Sequence, residues 1–102
     1  MTNAHAQLEA LGDPTRRAIL EQLLSGPKPV GEIAKRFPVS RPAISQHLAV
    51  LKRAQLVADR AQGTRRVYQV NLQGIEAMRA YLDRFWHDAL AAFKRAAEES
   101  HR

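Results

Sequence analysis

The stretch FPVSRPAISQHLAVLKRAQLV, residues 37–57, decides how the rest of the chain is read. Ile44, Leu48 and Leu51 recur at helical spacing, and Ser40 stands where an N-cap belongs. Pro42 then falls in the first turn, where backbone N–H groups have no intrahelical partner, so it marks a helix start and not a break. On a helical wheel Pro42, Gln46 and Ala49 lie opposite the apolar stripe, with Arg41 and Ser45 beside them and His47 at its edge. A solvated helix ordinarily fills that side with Lys and Glu. Here Gln can pair with adenine, Arg with guanine and Ser with a base edge or phosphate, while Pro42 and Ala49 leave room for a thymine methyl. The expectation is a helix built to dock in a DNA major groove.

Upstream, the spacing predicts a short first helix over 4–11 with Leu8 and Leu11 inward. GDPTRRAILEQLLSG predicts a second, capped by Asp13, started at Pro14 and followed by Gly26, with Ala18, Ile19, Leu23 and Leu24 as its stripe. PVGEIAKRF is a brief third helix, with Val30, Ile33, Ala34 and Phe37 inward and Pro38 as its stop. Only two or three residues then separate it from the helix after Ser40, the spacing of a helix–turn–helix. Downstream, LVADRAQGTRRVYQV turns at Gly63 and reads as a two-stranded hairpin, with Tyr68 and Val70 on one face. A final helix over 72–99 spans about 40 Å, more than the width of a small domain. Its apolar face therefore outruns its own core and invites a second copy of the chain. The order is α-α-α-α-β-β-α, mainly α with a β-hairpin, in one domain over 1–102. Its core lies at about 13–70, and the first and last helices are left for dimerisation.

Charge agrees with the docking helix. Of 16 Lys and Arg, eight lie between residues 35 and 66 against the single acid Asp59, and the remainder is close to neutral. A basic surface confined to one third of the chain suits a polyanion. Arg60, Thr64, Arg65 and Arg66 place part of it on the hairpin, where ribbon tips reach phosphates or a minor groove. Lys52 and Arg53, near the end of the docking helix, either meet phosphate or complement the helix dipole. His47 is open to two roles, a DNA contact or a brace between helices. Cysteine is absent, which excludes disulfides, thiolate metal sites and thiol redox sensing. No run approaches a membrane span, and MTNAHAQLEA lacks a signal pattern, so a cytoplasmic protein is expected. No Ser–His–acid grouping, phosphate-binding glycine loop or paired carboxylates suggests an enzyme.

The DPTRRAIL opening, the VSRPAISQHLAVLK segment and GTRRVYQV, in that order, resemble the ArsR-type winged helix–turn–helix transcriptional regulators over about residues 8–97. The closing RFWHDALAAFKRAAEE is similar to a cysteine-free branch of them. The resemblance implies a homodimeric repressor on a near-palindromic operator. Its reader positions are Arg41, Ser45, Gln46 and His47 and its wing arginines Arg65 and Arg66; beside them, Ser40, Pro42 and Lys52 on the helix and Arg60 and Thr64 on the hairpin are expected to join the same contact. Leu8, Leu11, Leu82, Phe85, Trp86, Ala89, Leu90 and Phe93 would join the two copies. The partners implied are double-stranded DNA and a second protomer, with no membrane and no cofactor. No motif specifies an inducer, small molecule or metal. Many members sense metals through a thiol pair that VGEIAKRF lacks. Asp83, His87, Glu98 and His101 offer N/O ligands across a dimer, but are expected to be solvated helix-end residues. The alternatives are a metal-responsive repressor using those four, or a winged-helix module whose basic face binds an acidic protein.

Overall fold

Side-chain caps punctuate the helices. In the computed structural model, which describes residues 4–101, α1 (Ala4–Ala10) precedes α2 (Pro14–Leu23). The Asp13 carboxylate caps α2, accepting from the backbone N–H groups of Thr15 and Arg16 at 2.8 and 3.2 Å. The two-residue β1 (Lys28–Pro29) leads into α3 (Val30–Ala34). Ser40 Oγ accepts from the Ala43 N–H at 3.3 Å and starts α4 (Arg41–Arg53), with Pro42 in the first turn as expected. β2 (Val57–Gln62) and β3 (Arg65–Val70) form the hairpin, turning at Gly63 with φ +63°. Asn71 Oδ1 accepts from Gly74 N–H and caps α5 (Leu72–Glu99).

The stripe of α4 anchors the core. Ile44, Leu48 and Leu51 are fully buried and form one cluster with Ile19, Leu20, Leu23, Val30, Ile33, Leu56 and Val57. Each such aliphatic side chain withdrawn from water contributes about 1.5–3 kcal/mol. Ile75 and Met78 of α5 pack on the edge of this cluster. Beyond them α5 leaves the core. Leu82, Phe85, Trp86, Leu90 and Phe93 are all exposed, and the molecule measures 67 × 27 × 22 Å. No helix among the described residues is long and apolar enough to cross a membrane.

Four details depart from the sequence reading. The sheet has three strands in the order β1-β3-β2, because Lys28 and Pro29 pair antiparallel with Tyr68 and Val67. Pro29 is tolerated there because β1 is an edge strand, which can dispense with a donor. Secondly, α3 stops at Ala34, and the chain reaches Phe37 through i→i−3 bonds from Arg36 to Ile33 and Phe37 to Ala34. The link to α4 is thus longer than two or three residues, and its first part is tight-turned. Thirdly, Leu20 is buried in α2 while Leu24 is 71% exposed. At about 100° per residue, Leu24 lies roughly 90° from the direction shared by Ile19, Leu20 and Leu23.

The fourth concerns α1, which buries Ala4, Gln7 and Ala10. Leu8 is exposed, and Leu11, just past the helix, is only partly buried against the core. The inward face is set by α5. Gln7 Nε2 donates to the Gly74 carbonyl at 2.8 Å, which places Gln7 inward despite its polarity. His5 and Tyr81 add a tilted ring contact with centroids 5.9 Å apart.

Gly74 also meets the end of α4. That helix closes with Gln55 at φ +64° and bonds from Gln55 N–H to Lys52 O and Leu56 N–H to Leu51 O, a Schellman ending. The Gln55 carbonyl faces Gly74 so closely that a Cβ there would stand 1.6 Å from its oxygen. Gly74→Ala should therefore destabilise the protein by ~3 kcal/mol or more, measured by urea denaturation. A loss below about 1 kcal/mol would show that α5 can shift without consequence.

Candidate nucleic-acid interface

With its stripe buried, α4 can present only its other side. Arg41, Pro42, Ser45 and Gln46 are exposed, as is the cap Ser40, while Ala49 is partly covered. Arg41 does not line up with Gln46. Three residues before Ile44, it reaches across α3, and its guanidinium lies 3.9 Å from where a Gly31 side chain would begin. There it enters a groove of about 520 Å³ between the start of α3 and the tip of the hairpin. Lys35, Arg41, Thr64, Arg65 and Arg66 line that groove, with Glu32 as its one acid. The structure thus brings Arg41 of the predicted helix set and Thr64, Arg65 and Arg66 of the predicted wing set around one basic concavity, while Ser45, Gln46, His47, Lys52 and Arg60 lie outside it. An anionic strand is the natural guest for such a surface.

Several predicted contacts are tied to the protein. Lys52 Nζ is 2.8 Å from Asp59 Oδ1, and Arg66 Nε is 3.4 Å from Asp59 Oδ2. Arg60 donates to Gln69 Oε1 at 3.0 Å across the hairpin. His47 is half-buried, with Nδ1 3.5 Å from Arg16 Nη1, the geometry of the brace rather than of a free base contact. In the sequence Asp59 is simply the lone acid of a basic segment. Its position on β2 beside the last turn of α4 becomes visible only with the register known.

The DPTRR segment gains a physical role. Arg16 Nε donates to Ala10 O, and Arg17 Nη1 donates to Leu11 O, both at 2.6 Å. These two cations satisfy carbonyls at the end of α1 and fasten it to α2. The Asp13 carboxylate is held below its ordinary range first by the Arg16 backbone N–H, then by that of Thr15, with the Arg16 and His47 charges adding. Asp83 pairs with Arg79 at 3.7 Å, and no group of three or more His, Asp or Glu able to hold a metal forms among the described residues.

Residues 13–59 match the family described as "Bacterial regulatory protein, arsR family". The HTH-type transcriptional regulator Rv2034 of Mycobacterium tuberculosis is 60% identical over 85 residues, which cover 83% of this chain and 79% of that protein. The chain belongs to the arsR family. The transcriptional repressor SdpR of Bacillus subtilis is 43% identical over 62% of this chain and 70% of its own length. In three dimensions, the homodimeric winged helix–turn–helix DNA-binding domain of Mb0332 from Mycobacterium bovis matches with a TM-score of 0.67 at 26% identity. That match covers 98% of this chain and 84% of that one. The fold is therefore the winged helix–turn–helix of this family, and these relatives are named as regulators of transcription rather than enzymes.

Because Asp13 is depressed in the folded state, its contribution is complete above its ordinary value of 3.8 and is lost as pH falls through the lower folded value. Asp13→Asn, which keeps an acceptor for the cap, should flatten the loss of stability below about pH 4 in acid denaturation profiles. An unaltered acid profile in the variant would remove Asp13 from the pH response.

Proposed function

We propose that the protein is a homodimeric repressor that binds a near-palindromic operator in the cytoplasm. The observation that carries this reading is the free polar side of α4, flanked by the basic groove and the wing. Residues 13–70 form the DNA-reading core. Ser40, Arg41, Pro42, Ser45 and Gln46 meet the major groove, and Thr64 and Arg65 meet the backbone beside it, with Arg60 and Arg66 behind them on the ribbon and His47 bracing the helix against Arg16. Lys52 stands at the end of the helix, paired with Asp59.

The second copy is supported by α5. Leu82, Phe85, Trp86, Leu90 and Phe93 leave an apolar surface unsatisfied along a helix that runs past its own core, and an isologous contact would cover it. Ala89, with Leu8 on α1 and Leu11 just past its end, belongs to the same scaffold. The homodimeric Mycobacterium bovis domain supports this assembly, and the Bacillus subtilis repressor supports the direction of control. Two reader helices about 34 Å apart would enter successive major grooves on one face of the duplex, where the bound protein obstructs transcription.

Selecting bound sequences from a random DNA pool tests the reading. The expected result is a two-fold symmetric motif with half-sites about one helical turn apart; an enriched motif without symmetry would contradict it. A reporter driven from the selected site should fall when the protein is expressed, whereas a rise would make it an activator. On that site Gln46→Ala should relax preference at one base position by ~1–3 kcal/mol. Arg65→Ala should weaken all sequences alike and reduce the salt slope by about 1. For assembly, Phe85→Glu with Trp86→Glu should sediment as a folded monomer while the wild type sediments as a dimer. Dimers persisting in the double variant would move the interface off α5.

A further inference from the structure

Residues 35–66 hold eight cations and one acidic residue, Asp59. Its side chain is only 10% exposed and lies between Lys52 and Arg66, which remain 55% and 54% exposed. Lys52 belongs to the last turn of α4 and Arg66 to β3, so a single residue of β2 ties the reader helix to the wing. Arg66 also forms part of the wall of the basic groove. Asp59 therefore touches the two elements whose relative placement sets the shape of the interface.

Resting on the DNA-binding reading, we infer that Asp59 is a positioning residue for recognition. It fixes the wing against the reader helix and keeps Lys52 and Arg66 from indiscriminate phosphate contact. Without its charge the two cations repel each other and turn to solvent, and each one that reaches a phosphate adds ~0.9 to the salt slope. Binding to any duplex is strengthened by that route. Discrimination is weakened, because a wing no longer tied to α4 adapts to backbones displaced from the operator's shape.

The test compares Asp59→Asn with the wild type on the selected operator and on a random duplex, across a salt titration. The expected result is a slope steeper by ~1–2, with affinity for random DNA raised and the operator-to-random ratio lowered about tenfold. Asp59→Glu, which retains the charge, should restore both quantities. An Asn variant with wild-type slope and ratio overturns the inference. So does a uniform loss on both duplexes, which is how a residue needed only for stability would behave. Should Asp59→Asn fail to fold by circular dichroism, Lys52→Gln examines the link from the helix side. It should lower the ratio without reducing the slope, and a slope reduced by about 1 would make Lys52 a phosphate contact and overturn the inference. A wild-type protein with neither operator preference nor salt dependence would instead remove the DNA-binding reading itself, and this inference with it.

Discussion

Burial of Ile44, Leu48 and Leu51 is the constraint on which the interface depends. All three are withdrawn completely from water, and a rigid helix with one side so fixed has no freedom in what its other side displays. Ser45 and Gln46 are exposed because the helix turns them away from that stripe, Gln46 nearly opposite it and Ser45 roughly 90° from it. The same packing brings the start of α4 against α3, where Arg41 crosses Gly31 and reaches the groove. Core and function are thus two sides of one helix, and the hydrophobic term that stabilises the fold also aims the polar groups.

The other end of α4 links the reader to the helix proposed to join two protomers. The Schellman ending at Gln55 turns the chain into β2, and its carbonyl rests against Gly74 with no room for a side chain. Gln7 holds the same glycine from α1, and Asn71 N–H donates to Leu56 O at 2.9 Å. Through these contacts the direction of α5 is set relative to α4 by backbone against backbone. In a symmetric pair joined along α5, that angle would determine the separation of the two readers. A helix some 40 Å long would amplify any local shift at its base into a larger one at its far end.

Much of this was legible in the sequence wherever local chemistry decides the outcome. Caps at Asp13 and Ser40 depend on a side chain and the next three backbone groups, and the proline positions follow from the same geometry. The excess length of α5 could be read from residue count alone. What was hidden depended on partners distant in the chain. β1 is too short to carry a periodic signal, and Pro27 before it and Pro29 within it make it look like a loop until β3 is beside it. Leu8 and Leu24 are large apolar residues at plausible inward positions, but helix phase and the approach of α5 turned Gln7 and Leu20 inward instead. For the site, the outward set on α4 could be listed from a wheel. That Arg41 would leave that row, that His47 would meet Arg16, and that Asp59 would hold Lys52 and Arg66 required the tertiary structure.

The central claim, that α4 inserts its polar side into the major groove once per protomer, is tested most directly by methylation protection. Dimethyl sulfate modifies guanine N7, an atom on the major-groove edge. On a bound duplex the account predicts two protected patches about one helical turn apart, lying on one face and related by the symmetry of the site. A single protected patch, or a bound duplex whose guanines remain fully reactive, would contradict it.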